Sequence, residues 1–171
     1  MIAPLTDAAM QPDASLSTYA LSALGLDDFE QGLLPVLRQF LLSHDQPQGQ
    51  AWQQAYLIAV ERWGEALGLP AALAAMKLVQ AVLECRGDGF CFVDPFDLDR
   101  RAEVSRDEAA LLRMLHHMRR DETPLAREAV ADVTLGQMDP HVIRAGLSLA
   151  SRFSKGQSPA RATPPRLRVV G

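Results

Sequence analysis

The chain has 171 residues, 48% of them hydrophobic and 22% charged. That composition suits one globular domain and excludes a globally disordered, collagenous or low-complexity chain. The formal net charge of −4 offers no uniform field for a polyanion or polycation, but it conceals a division: residues 1–99 sum to −9 and residues 100–171 to +5.

Taken in chain order, Met1-Ile-Ala-Pro lacks the basic and apolar regions of a secretory leader. Pro4 and Pro12 among scattered Asp and Ala predict a flexible arm over residues 1–14. Ser15 is expected to cap a short helix to about Leu24, with Gly25 as its stop. Asp27 and Glu30 have the spacing of a capping box. They precede Phe29, Leu33, Leu37, Phe40 and Leu41, a helical stripe expected to reach about Ser43. Pro35 predicts a kink or break near Leu34, and residues 44–49 read as a loop.

Trp52, Tyr56, Ala59, Val60, Trp63 and Leu67 share one helical face, which predicts a buried aromatic stripe ended by Gly68 and Pro70. Pro70 suits the first turn of the next helix. Over residues 71–85 the polar side chains are Lys77, Gln80 and Glu84, all on one narrow strip. A helix over about 70–85 is therefore apolar nearly all round and belongs at the centre of the fold. No uninterrupted apolar run reaches the ~18–20 residues of a bilayer span, so no membrane partner is expected.

Arg86-Gly87-Asp88-Gly89 forms a turn, and Phe90-Cys91-Phe92-Val93 reads as an extended segment over the core, ended by Asp94-Pro95. Ser105 and Glu108 form a second capping box before Leu111, Leu112, Met114, Leu115 and Met118, in a helix to about Arg120. Thr123-Pro124 opens a helix with Leu125, Ala129, Val130 and Val133, stopped by Gly136. Asp139-Pro140 opens the last, with Val142, Ile143, Gly146, Leu147, Ala150 and Phe153 on one face. Residues 156–171 form a basic Pro/Arg-rich tail. The expected fold is all-α: an irregular or orthogonal bundle of six to seven helices within residues 15–155.

Two cysteines make no disulfide framework, and a reduced cytoplasmic protein is expected. Cys85 and Cys91, flanked by Leu, Phe and Val, predict burial as small apolar groups. Asp88, Asp94, Asp97 and Asp99 lack the Gly of a calcium loop and contain Pro95, so they read as turn and helix caps, with Asp97 a candidate N-cap. His116 and His117 are helical neighbours pointing about 100° apart, a poor chelating pair, so no metal site is expected. Phosphate-loop, dinucleotide and nucleophile-elbow motifs are absent from the sequence, and no cofactor is expected.

Three functional readings follow. The first is a non-enzymatic protein-interaction or regulatory module that binds a protein partner or self-associates, its acidic and basic halves supplying complementarity. The second is a DNA-binding regulator. It would use a helix-turn-helix-like pair over residues 124–153, expose His141, Arg144, Ser148 and Arg152, and grip phosphates with the tail. Under both readings the candidate binding residues are Arg144, Arg152, Lys155, Arg161, Arg166 and Arg168. The third is an enzyme whose site assembles from dispersed Asp94, Asp97, Asp99, His116 and His117.

Overall fold

The computed structural model describes residues 17–87 and 89–155. The arm over 1–14, the Ser15 cap, Asp88 and the tail over 156–171 lie outside the described residues. Among the described residues six α-helices form the body: α1 (Asp28–Asp45), α2 (Ala51–Trp63), α3 (Glu65–Arg86), α4 (Arg106–Met118), α5 (Thr123–Val133) and α6 (Pro140–Arg152). They share one core of buried side chains. The all-α expectation holds.

A small antiparallel sheet was not foreseen. Strands β1 (Thr18–Ala20) and β2 (Glu103–Ser105) pair with Tyr19 opposite Val104. β1 takes three residues of the helix expected before Gly25, and a 3-10 turn over Leu21–Leu24 remains. Gly25 does stop it, at φ 65°. The β-prone Phe90–Val93 stretch joins no strand or helix, with Val93 buried against the body.

The Asp27/Glu30 capping box opens α1 as its spacing predicts. The helix then runs unbroken through Pro35 to Asp45. Proline inside a helix costs about 3 kcal/mol through a lost hydrogen bond and a ring clash. Here Leu33, Leu34, Val36 and Leu37 on both sides are buried, and that packing holds the helix together.

α2 corrects the aromatic-stripe expectation. Its buried positions are Ala51, Ala55, Ala59 and Trp63, while Trp52 is 47% exposed. Alanine at every fourth residue lets α2 approach its neighbours closely. The break also falls earlier, at Gly64 with φ 75°, a region L side chains rarely adopt. Gly68 instead sits inside α3, where its α-carbon faces the Ala59 carbonyl.

α3 therefore starts at Glu65 and spans 22 residues, about 33 Å at 1.5 Å per residue. It packs on α1, α2 and α6. By length and composition alone it is apolar enough to cross a membrane, but half of its apolar window is buried inside the fold, as in a core helix. Phe29 joins three helix ends: its ring lies 5.0 Å from those of Trp63 and Phe153.

Candidate interaction surface

Two buried ionic staples tie α1 to α4, and both start from a capping box. In α4, Glu108 accepts from the Ser105 backbone N–H at 2.8 Å and from Arg38 Nε of α1 at 2.7 Å. In α1, Glu30 accepts from the Asp27 backbone N–H at 3.0 Å and from Arg119 and Arg120 beyond the end of α4. The head of each helix meets the other's middle or tail, so the two run antiparallel. Arg119 also lies over the Phe29 ring, 4.7 Å from its centre. Burial pushes the Glu30 carboxyl up, but hydrogen bonds from Arg120, His116 and the Asp27 N–H, with the charge of Arg119, outweigh it and hold Glu30 below the usual carboxylate range. The cap spacing was legible in the sequence; its doubling as an ion pair was not.

The outer face of α3 is different. Lys77, Gln80 and Glu84 stand exposed on one strip, as their spacing predicts, and make no hydrogen bond or ion pair among the described residues. Beside them run Leu69, Leu73, Met76 and Leu83, which with Gln80 are spaced 4, 3, 4 and 3 residues apart. Leu69 and Leu73 are exposed and Met76 and Leu83 half-buried. That spacing is the seam of a helix that packs along another helix.

Grooves flank the strip. On one side α3 and α6 enclose about 440 Å³, lined by Lys77, Gln80, Glu84, His141, Arg144 and Ser148 over a floor that includes Ala74 and Ala81. On the other, an apolar groove of about 240 Å³ is lined by Phe40, His44, Trp52, Met76 and Leu83. Trp52 and Tyr56 meet edge to face with ring centres 6.4 Å apart, and the Tyr56 hydroxyl reaches Met76 Sδ at 3.8 Å.

Of the predicted binding residues, Arg144 lies in the α3–α6 groove beside Lys77. Arg152 and Lys155 are exposed; Arg152 sits about 12 Å further along α6. Arg161, Arg166 and Arg168 lie outside the described residues. His141, Arg144, Ser148 and Arg152 are all exposed, as the helix-turn-helix reading expects. The two helices of that reading pack elsewhere, however: α5 on α4, and α6 on α3 and α4, with six residues between them.

The dispersed Asp and His residues do not converge. Asp94 accepts from the Phe96 N–H, and Asp97 from the N–H groups of Asp99 and Arg100, in a turn before β2. No helix starts at Asp97, so its role is a turn cap rather than an N-cap. His116 and His117 lie at the opposite end of α4. Cys91 is exposed, against expectation, while Val93 two residues on is buried; Cys85 is partly buried. Burial and the charge of Asp139 raise the Cys85 thiol above its ordinary pKa, against the pull of Arg86.

No known protein family, curated protein or solved structure matches this chain.

Proposed function

We propose that the protein is a non-enzymatic helical interaction module that pairs with a second copy of itself along the outer strip of α3. The observation that carries the reading is the order Lys77, Gln80, Glu84 on one exposed strip, bordered by Leu69, Leu73, Met76 and Leu83. Reversed, the strip is its own complement. In an antiparallel pair about a twofold axis near Gln80, Lys77 of each copy faces the partner's Glu84, and Gln80 faces Gln80. Such a self-complementary patch is what an isologous dimer needs. Met76, Leu83 and Trp52 would supply the apolar contact, and Arg144 a cationic flank.

The contact is modest. Because α3 ends at Arg86, two copies centred near Gln80 overlap over residues 75–86, and a strip about 18 Å long and about 11 Å wide covers roughly 200 Å², against about 800 Å² per partner in a standard interface. A weak, concentration-dependent dimer follows. Sedimentation velocity from about 1 to 500 μM tests it. The mean mass should rise with concentration, Lys77→Glu or Glu84→Lys alone should remove the rise, and the double variant should restore it. A monomer throughout overturns the reading, as does a double variant no better than the singles. Salt-sensitive binding to duplex DNA by a protein that stays monomeric would also overturn it, in favour of the nucleic-acid reading.

A further inference from the structure

A second feature lies away from the α3 strip. His116 and His117 close the last turn of α4, and the next turn brings Glu122 back to them: its backbone N–H donates to the His117 carbonyl at 3.0 Å. The tightness of that turn comes from Asp121, at φ 55°. One nitrogen of each imidazole and one Glu122 oxygen lie within 4.8 Å of one another. The two rings stand perpendicular, with centres 5.2 Å apart.

Each imidazole is already oriented by a carboxylate. His116 Nδ1 lies 2.9 Å from buried Glu30, and His117 Nδ1 lies 2.6 Å from Glu122. A carboxylate only accepts, so on His116 Nδ1 carries the proton toward Glu30 and Nε2 keeps its lone pair, whereas His117 Nδ1 and Glu122 share a proton that an ion seated between them would displace. Carboxylate-oriented histidine is the usual support of a metal ligand. The hydrogen bond from His117 holds the Glu122 carboxyl below the ordinary range, so it is ionised at neutral pH. Arg119 and Arg120 are engaged by Asp27 and Glu30, the Arg120 charge also acts on Glu122, and Asp121 and Arg127 line the adjoining groove.

We propose that His116, His117 and Glu122 form a binding site for a divalent transition-metal ion of the zinc class. Two imidazoles and a carboxylate are a recognised three-ligand set for such an ion, leaving a fourth position open. The adjacency that argues against the histidine pair in sequence is offset by the third ligand returning from the turn. Closing on the ion requires ligand atoms about 3.3 Å apart, from the metal–ligand distances and tetrahedral geometry. The drawing-in of up to about 1.5 Å from the 4.8 Å span is within reach of side chains that are 19% (His116), 22% (His117) and 42% (Glu122) exposed. His117 and Glu122 also line an apolar groove of about 150 Å³ with Met118, Ala126, Val130 and Leu147. The open position would border that groove.

Titration of chelator-treated protein with zinc chloride alone, followed by calorimetry, tests the site. One ion should bind per chain. His117→Ala and Glu122→Ala should each weaken binding by at least about tenfold, and His141→Ala, in the α3–α6 groove, should not change it. Glu122 is on an exposed turn, so its variant stays informative if His117→Ala misfolds. Absence of one-to-one binding at about 100 μM zinc overturns the proposal, as does an equal loss in His141→Ala.

Discussion

Gly68→Ala sets two effects of opposite sign against each other. Alanine is favoured over glycine inside a helix by about 1 kcal/mol, so propensity alone makes the variant more stable. Packing opposes it. A β-carbon at position 68 would stand 2.6 Å from the Ala59 carbonyl carbon and 2.7 Å from the Val60 nitrogen, with the Ala59 oxygen closer still. These are backbone atoms of α2 and cannot swing aside, so α2 and α3 must separate. Overpacking of this kind costs about 1–3 kcal/mol, and a backbone obstacle places this case at the upper end. The net loss is about 1–2 kcal/mol, which lowers Tm by roughly 2–8 °C in a chain of this length. Gly32→Ala is the control: its β-carbon meets Arg62 Cζ at 2.7 Å and Cδ at 2.8 Å, the far end of a flexible side chain that can move. Urea unfolding followed by circular dichroism should place Gly68→Ala below wild type and Gly32→Ala close to it. A Gly68→Ala protein stabilised by about 1 kcal/mol would refute the close approach of α2 and α3.

Glu30→Ala should destabilise by about 3–5 kcal/mol, because it removes one partner of a buried ion pair whose Arg119 side chain is fully buried; a urea midpoint shift worth under 1 kcal/mol would show that the staple is not a source of stability. The two tryptophans should separate in the same assay: Trp63→Ala loses about 3–5 kcal/mol with its packing on Phe29, and Trp52→Ala less than about 1. Equal losses would restore the buried-stripe expectation for α2.

Much of the helical framework was legible because it is written in local signals. The capping boxes at Asp27/Glu30 and Ser105/Glu108, the Asp139-Pro140 start and the apolar faces of α1 and α4 all act within one or two turns. What escaped depends on distant partners. β1 exists because residues 103–105 come alongside it, a pairing across more than eighty positions. Trp52 faces outward because Ala51, Ala55 and Ala59 are the residues small enough to admit α1 and α3, and no local pattern ranks alanine above tryptophan. Neither proline breaks its helix: Pro35 lies inside α1, and Pro70 lies inside α3 rather than in its first turn because α3 starts earlier, at Glu65.

The candidate surfaces divide in the same way. The polar strip of α3 was plain from spacing, whereas the exposure of Leu69 and Leu73 beside it depends on which faces α1, α2 and α6 cover. In sequence His116 and His117 are only neighbours, and the site proposed on them depends on a residue that the next turn returns. Glu122 is five residues from His117, and only the left-handed backbone of Asp121 brings it back.

The two surfaces differ in how they couple to the fold, and that difference decides what their variants report. Glu30 is at once the N3 residue of a capping box, the partner of Arg119 and Arg120, and the orienter of His116. A change at Glu30 therefore alters stability and His116 together, and a zinc measurement on such a variant could not separate them. His117 and Glu122 avoid that coupling, which is why the metal test rests on them. On α3, Lys77, Gln80 and Glu84 have no partner among the described residues, and exposed substitutions of this kind usually change stability by no more than about 0.5 kcal/mol. Reversing Lys77 and Glu84 leaves the folded monomer nearly as it was. A mass that falls with either reversal and recovers with both then reads association between copies, and no change in folding can imitate that pattern.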